Sequence, residues 1–362
     1  MRAGEDLIRR ARSSLGLAAA LVLSLSAPAC SRVEGINFPL TVQKVLVIPT
    51  PTGWMQPSNQ AVAVAWSPNG SKIAAATRFG TEISVWDDRG RLLSHSEADS
   101  TRIVRDSIAF VAGSSQLLTG PPHTADADVT LSVRDATSGQ IFHNVVGPVP
   151  GGGRDANNSE VFSISQEGGL VADELPGFVP SAPDIAIWNT SNWQIVSTYK
   201  LSGGAASHAF FDGGDKLVVG GSEASDSDVY IIDLKSGDPP RQLKVFPGSG
   251  QVAAVAGSPD GKLIFAGTAT IPAKVLRASD GATVASFPID SQNGVLEAEW
   301  DPLGRYVAFL ENDHQLVIWR PTASGMSYAK IAAPYAISFA ISPDGGRIAV
   351  GVASGIVVYS VK

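Results

Sequence analysis

A short turn sequence recurs along the chain, and its spacing restricts the folds that the chain can adopt. The clearest copies read Trp-Ser-Pro-Asn-Gly, Gly-Ser-Pro-Asp-Gly, Trp-Asp-Pro-Leu-Gly and Ile-Ser-Pro-Asp-Gly, at residues 66–70, 257–261, 300–304 and 341–345. Proline sets φ for the turn and glycine supplies a positive φ. Because alternating apolar runs flank the copies, each copy predicts a hairpin turn between two β-strands.

A second marker leads to a count of seven units. Weaker turns lie at residues 113–115, 167–169 and 212–214, and seven short strands end in similar sequences at positions 86, 134, 188, 232, 276, 319 and 359. Four-stranded units that recur at roughly 40–50 residues are typical of β-propeller blades. The sequence therefore predicts an all-β fold, a seven-bladed β-propeller of four-stranded antiparallel blades. A pair of β-sandwiches is the alternative, but sandwiches do not repeat at this period.

The last unit lacks a fourth strand, because the chain ends at Lys362 directly after the third. The run 40–48, Leu-Thr-Val-Gln-Lys-Val-Leu-Val-Ile, has the alternation of a strand and can complete this unit. Such a closure pairs two open sheet edges that would otherwise favour aggregation. We therefore expect residues 40–362 to form a single β-propeller domain.

The N-terminal segment has the features of an export signal. Arg9, Arg10 and Arg12 precede a short apolar run at 15–25, and small residues follow up to Cys30, the sole cysteine. The run is shorter than the ~20 residues that span a membrane. The segment resembles a bacterial lipoprotein signal, which implies lipid attachment at Cys30. We expect residues 1–29 to be the signal peptide and 30–39 a tether. Ordinary cleavage after Ala29, leaving a free thiol, is the alternative.

Charge and composition exclude several kinds of site. The chain has 27 Lys plus Arg against 34 Asp plus Glu, a formal charge of −7, so no basic field for nucleic acid is expected. One cysteine excludes a disulfide framework and a cysteine-based zinc cluster. The five histidines show no metal-ligand spacing, and neither a phosphate-binding loop nor a nucleophile elbow occurs. We expect no cofactor and no metal, and no catalytic residue is assigned.

Residues 61–362 resemble the WD-repeat and WD-like propellers. The likeness is carried by the repeat period, by the Trp86-Asp87 pair and by Asp313, which lies six residues before Trp319. The Ser-Pro-Asp-Gly turns also look like those of lactonase-like and periplasmic propellers. The resemblance implies the propeller fold, and similar lipoprotein propellers imply a role in envelope assembly or complex formation.

Four long connections hold most of the candidate binding residues. They span 121–128, 147–160, 173–184 and 222–228, and the topology of a four-stranded meander places them on one face of consecutive blades. Beside Arg154 alone, they carry ten acids: Asp126, Asp128, Asp155, Glu160, Asp173, Glu174, Asp184, Glu223, Asp226 and Asp228. Phe178 would be an apolar anchor among them. This pattern predicts a surface that binds a basic partner or a cation. The alternative is that these are solvated loops whose acids maintain solubility.

The predicted function is that of an exported, lipid-anchored protein-binding scaffold in the cell envelope. It would contact the membrane only through the lipid, and it would face the periplasm from the outer membrane in a diderm host. One alternative is an extracytoplasmic hydrolase or lactonase-like enzyme acting at the axial channel. The residues near the channel strands would be Asp106, Glu160, His208, Glu297 and Glu299. Another alternative is a sensor of a small ligand or metal.

Overall fold

The computed structural model describes most of the chain from Leu40 onwards. The described residues are 40–49, 61–77, 82–97, 108–111, 113, 115–120, 129–148, 162–175, 182–222, 226–247, 250–287, 294–322, 325–336, 338–352 and 354–362. Leu40–Lys362 forms one compact unit. Residues 1–39, which include the predicted signal segment and tether, and parts of the predicted long connections lie outside the described residues.

Seven four-stranded antiparallel sheets follow one another along the chain. Strand β1 (Val42–Pro49) comes first and belongs to the last sheet. Blade 1 contains β2 (Ala61–Trp66), β3 (Lys72–Thr77), β4 (Glu82–Asp87) and β5 (Leu92–Glu97). Blade 2 contains β6 (Ile108–Phe110), β7 (Gln116–Thr119), β8 (Val129–Asp135) and β9 (Ile141–Val146). Blade 3 contains β10 (Phe162–Ile164), β11 (Leu170–Glu174), β12 (Ile185–Asn189) and β13 (Gln194–Tyr199).

The remaining blades repeat the same order of strands. Blade 4 contains β14 (Ser207–Phe211), a 3₁₀ turn (Asp212–Gly214), β15 (Lys216–Gly220), β16 (Asp226–Asp233) and β17 (Arg241–Pro247). Blade 5 contains β18 (Val252–Gly257), β19 (Leu263–Thr268), β20 (Lys274–Arg277) and β21 (Thr283–Ser286). Blade 6 contains β22 (Val295–Trp300), β23 (Val307–Glu311), β24 (Gln315–Thr322) and β25 (Gly325–Ala332). Blade 7 contains β26 (Ser338–Ile341), β27 (Arg347–Val352), β28 (Gly355–Val361) and β1. The predicted seven-bladed propeller is confirmed.

The predicted closure of the ring is also confirmed. Strand β1 pairs antiparallel with β28, from Val42 opposite Val361 to Pro49 opposite Gly355. Thr41 and Lys362 extend this pairing, because each backbone N–H donates to the other's carbonyl oxygen at 3.1 and 3.0 Å. The two ends of the described chain are therefore joined in one sheet.

Apolar side chains between neighbouring blades form the core. Ile48 of blade 7 packs with Trp66 and Trp86 of blade 1, and the Phe265 ring of blade 5 stacks on the Phe309 ring of blade 6 at 5.1 Å. This apolar packing joins neighbouring sheets, and side-chain hydrogen bonds between blades, such as that from Trp66 Nε1 to the Ala340 carbonyl oxygen at 3.1 Å, add to it. In the part of the chain that the structure describes, no helix has the length and apolarity needed to span a membrane.

The meander topology gives the ring two different faces. We call the end with the hairpins between first and second strands, such as Trp66–Gly70, the turn face. The end with the connections between second and third strands and between blades is the connection face. All four long connections predicted to bind a partner follow strands that end at the connection face, in blades 2 to 4.

Candidate functional site

Three of the predicted binding acids on the connection face, Asp173, Asp184 and Asp228, have buried side chains. Asp173 is 0% exposed and Asp228 is 5% exposed, although both were expected to face solvent. The reason is that the strands extend further than the sequence pattern suggested. Strand β11 continues through Asp173, which pairs with Phe162 and Ala186 inside blade 3. Strand β16 already begins at Asp226.

Asp228 is held within blade 4 by a side-chain amide. It lies opposite Lys244 in the pairing of the third and fourth strands, and the Gln242 Nε2 donates to its Oδ2 oxygen. Tyr230, two residues further along β16, has a hydroxyl that hydrogen-bonds to the Ser202 hydroxyl at 2.8 Å. These contacts make Asp228 part of the packing of blade 4 rather than an open surface carboxylate.

Glu174 and Asp184 form a partly buried acidic pair where the connection of blade 3 begins and ends. Asp184 is 3% exposed. Its Oδ1 oxygen lies 2.9 Å from Lys200 Nζ, and its Oδ2 oxygen accepts a 2.6 Å hydrogen bond from the Leu201 amide. Burial, together with the charge of Asp184, raises the pKa of Glu174 to about 8. Glu174 is therefore mainly protonated at neutral pH.

Most of the other predicted binding residues, and the predicted lipid attachment site, lie outside the described residues. Cys30, Asp126, Asp128, Asp155 and Phe178 fall outside the described residues. Asp226 is the first residue of β16, opposite Pro247. Binding of a partner through these residues stays a prediction.

A cavity of about 510 Å³ lies on the propeller axis and is lined by the first strands of all seven blades. Its wall includes Pro68, Pro259, Pro302 and Pro343 from four hairpin turns, so the cavity lies toward the turn face. Small-molecule sites usually have volumes of roughly 300–1,000 Å³. This cavity therefore has the size of a small-molecule site, on the end of the ring opposite the long connections.

Four of the polar side chains in the wall of the cavity make contacts with a neighbouring blade. The Ser163 hydroxyl and His208 Nδ1 are 3.0 Å apart. Glu297 Oε2 accepts a 3.2 Å hydrogen bond from the Phe339 amide, and Glu299 Oε2 accepts one of 2.8 Å from the Ile341 amide.

Sequence reasoning had identified three of these four residues. His208, Glu297 and Glu299 were predicted near the channel strands and do line the cavity. Asp106 and Glu160, the other two acids of that prediction, fall outside the described residues. Ser163 was missed. Its position two residues before Ser165, where the hairpin turn of blade 3 begins, was the available signal.

Two of the described residues of the cavity wall carry a carboxyl group. Glu297 and Glu299 are its acidic residues, and neither lysine nor arginine occurs among the described residues of the wall. In the described part of the chain, no group of three or more His, Cys, Asp or Glu side chains could hold a metal ion.

No protein-family model and no curated protein matches this chain.

Function must therefore be argued from the molecule itself. A propeller fold supports many unrelated activities, so the fold alone does not assign one. The features that differ among the blades are informative instead. They are the long connections of blades 2 and 3, and the two glutamates that blade 6 contributes to the axial cavity.

Proposed function

We propose that the protein is an exported β-propeller, attached to a membrane by a lipid on Cys30, that binds protein partners as a scaffold in the cell envelope. The observation that carries the proposal is that the long connections of blades 2 and 3 all follow strands that end at one face of a closed ring. Long loops on a rigid frame are where such folds place binding residues. A partner with a basic surface would suit the acids that these connections carry.

Ring closure supports a binding role in which the frame itself does not change. Strand β1 pairs with β28 along its whole length, and Ile48 is 1% exposed within the contact between blades 7 and 1. A surface held by a stiff frame loses less conformational freedom when a partner binds. The closed ring therefore favours recognition over a large conformational change.

The path of the chain is compatible with an anchor at Cys30. Strand β1 begins beside Val361, where the third strand of blade 7 ends, and so the chain joins the ring at the turn face. Nine residues separate Cys30 from Leu40, and a chain of that length reaches at most about 35 Å. The connection face lies at the other end of the ring from this point.

The experiment is cross-linking in intact cells followed by affinity purification, with wild-type protein and the D126N/D128N variant. Asp173 and Asp228 are left unchanged, because their side chains are buried. We expect the variant to lose at least 80% of the cross-linked partner. The experiment is done in low salt, because at 0.1 M salt the screening length is roughly 10 Å and exposed charge contacts are weakened. A C30S variant should in addition leave the membrane fraction.

The matched control is E167Q/D238N, which removes two exposed acids outside the long connections. It should keep both the partner and the membrane association. Equal recovery of the partner with D126N/D128N and wild type would contradict the assigned binding face. Membrane association of C30S equal to that of wild type would contradict the anchor.

A further inference from the structure

Blades 3 and 4 place a hydrogen-bonded serine and histidine in the wall of the axial cavity. The Ser163 hydroxyl lies 3.0 Å from His208 Nδ1, and both residues line the cavity of about 510 Å³. A hydroxyl and an imidazole within hydrogen-bond distance are the arrangement in which a base activates a serine nucleophile. The cavity lies toward the turn face, so this pair is separate from the binding surface of the scaffold role.

The fold does not require a serine and a histidine at these two positions, as the other blades show. Ser163 pairs with the residue nine places later on the second strand of its blade, and His208 pairs with the residue eleven places later. At the position of Ser163 the other blades hold alanine or glutamate, namely Ala65, Ala109, Ala209, Ala256, Glu299 and Ala340. At the position of His208 they hold apolar residues, namely Val64, Ile108, Phe162, Val255, Ala298 and Phe339. The polar pair is therefore particular to blades 3 and 4.

A second serine–histidine contact in the ring has different surroundings. In blade 1, Ser84 Oγ lies 2.9 Å from His95 Nδ1, but Ser84 is 0% exposed and lies on the third strand, away from the axis. At the corresponding place in blade 2, the Ser132 hydroxyl bonds to the Asn144 side chain at 2.8 Å. Asparagine can therefore take the place of histidine in a contact that only holds strands together. Ser163 differs from Ser84 because it is partly exposed, in the wall of a cavity.

The neighbouring backbone supplies a donor for the negatively charged oxygen that forms in acyl transfer. In blade 7 the Ile341 amide donates to Glu299 Oε2 at 2.8 Å, so this amide points to a carboxylate from the preceding blade. Phe210 has the position of Ile341 in its own blade, since each pairs with the residue seven places later. Ser163 has the position of Glu299. The repeat therefore places the Phe210 amide beside Ser163, where it can stabilise an oxyanion.

The apolar side chains around the pair define the substrate that the cavity suits. Ile164 follows Ser163 on β10, Phe210 lies two residues after His208 on β14, and both are partly exposed in the wall. A cavity of this size with an apolar lining and a few polar groups is typical of small-molecule sites. A neutral ester with a short apolar acyl chain suits such a wall.

We propose that Ser163 and His208 are a nucleophile and a general base that hydrolyse small carboxylic esters in the axial cavity. Ser163 Oγ attacks the ester carbonyl carbon while its proton passes to His208 Nδ1, and the Phe210 amide binds the oxyanion. The bond to the alkoxy group then breaks, and the leaving alcohol takes the proton from His208. Water attacks the acyl group, giving one proton to His208, and this proton returns to Ser163 Oγ as the carboxylic acid leaves.

The test is incubation of the purified protein with an alkyl fluorophosphonate, followed by mass spectrometry of its peptides. An activated serine oxygen displaces fluoride from phosphorus and stays covalently labelled, while its proton leaves with the fluoride. We expect the label on Ser163 in the wild type. The H208N variant keeps a hydrogen-bonding side chain, as Asn144 does in blade 2, but has no general base. Ser163 should therefore be labelled at least tenfold more slowly in H208N. Hydrolysis of 4-nitrophenyl butyrate should fall by at least tenfold in H208N and in S163A.

The matched control is S84A, which removes the hydroxyl of the serine–histidine contact in blade 1. It should be labelled on Ser163 and should hydrolyse the ester like the wild type. Thermal unfolding of each variant checks that the ring is intact, and if H208N did not fold, the position of the label in the wild type would still decide the question. Absence of label on Ser163 at millimolar probe, or equal labelling rates in H208N and wild type, would overturn the proposal. S163A should keep the cross-linked partner, so failure here is distinct from failure of the scaffold role.

Discussion

At the scale of single residues, the position at which a strand ends decides whether an acidic side chain is exposed to solvent. Glu174 is the last residue of β11 and lies next to the buried Asp184, which binds Lys200. Burial first, and the charge of Asp184 second, raise the pKa of Glu174 from 4.5 to about 8. An acid with a raised pKa binds its proton more tightly in the folded chain than in the unfolded chain.

This difference sets an expected pH dependence of stability. The contribution of protonated Glu174 is fully present below about pH 4.5 and is lost as the pH rises through about 8. The wild type loses this contribution as the pH rises from 5 to 9, whereas E174Q stays neutral. We therefore expect the free energy of unfolding of E174Q, relative to that of the wild type, to rise by about 1–3 kcal/mol between pH 5 and pH 9. Urea denaturation at both pH values measures the gain.

The control for this experiment is E167Q, which removes a carboxyl group from an exposed turn of the same blade. Its stability relative to the wild type should stay within ~0.5 kcal/mol at both pH values. If the difference in free energy of unfolding between E174Q and the wild type were the same at pH 5 and pH 9, the pKa of Glu174 would not be raised in the folded chain.

At the scale of elements, the recurring turn is stabilised by its own side chains. In blade 5 the Ser258 hydroxyl donates to Asp260 Oδ1 at 2.7 Å and accepts from the Leu263 amide at 2.9 Å. Ser342 makes the same two bonds with Asp344 and the Arg347 amide in blade 7. These local bonds explain why the motif marks the blades so clearly in the sequence.

Two turn glycines allow the effect of backbone strain on stability to be distinguished from the effect of packing between blades. Gly345 (φ 63°) and Gly113 (φ 68°) have similar backbones. A Cβ at Gly345 would overlap Asp301 and Arg305 of blade 6, whereas a Cβ at Gly113 would meet nothing within 4 Å. We expect G113A to lose about 1 kcal/mol from backbone strain alone. G345A should lose about 2–4 kcal/mol, because it also displaces the pair between Arg305 and the buried Asp301.

Urea denaturation of the two glycine variants measures both losses under one condition. The wild type and a serine variant at the exposed Gly237, G237S, serve as references, since Gly237 also has a positive φ of 70° and no contact within 4 Å. Similar midpoints for G345A and G113A would mean that the contact between the turns of blades 6 and 7 adds nothing to stability.

At the scale of the whole molecule, the ring depends on a contact between the two ends of the propeller. Strand β1 supplies the outer strand of a blade whose other strands come from the C-terminal segment. Ile48, 1% exposed, packs with residues of blades 7 and 1, while the neighbouring Val47 is 50% exposed. Closure therefore combines the backbone pairing of β1 with β28 and the packing of the inward-facing Ile48 side chain.

The role of closure is tested by I48A, with V47A as its matched control on the same strand. We expect I48A to lose about 2–4 kcal/mol in free energy of unfolding, in the range of buried aliphatic truncations. V47A should stay within about 0.5 kcal/mol, because its side chain faces solvent. Urea denaturation monitored by tryptophan fluorescence measures both. A loss for I48A no larger than that for V47A would mean that β1 is not needed to hold the ring.

The ring and its closure could be predicted from the sequence, because their signals are local and repeated. The Ser-Pro-Asp-Gly turns and the alternation around them encode hairpins, and the run at 40–48 has the same alternation as the strand it completes. The acidic face was predicted less well. Asp173 and Asp228 were assigned to loops, yet pairing with neighbouring strands extends β11 and β16 to include them.

The amino-acid sequence by itself determined the number of blades, the order of their strands and the segment that closes the ring. Turn chemistry and alternation act between residues close in the chain, so they can be read there. Only the tertiary structure decided which acids are buried and that Glu297 and Glu299 face one axial cavity with Ser163 and His208. The physical reason is that exposure depends on pairing register and on the neighbouring blade, and a shift of one residue moves a side chain to the other side of its sheet.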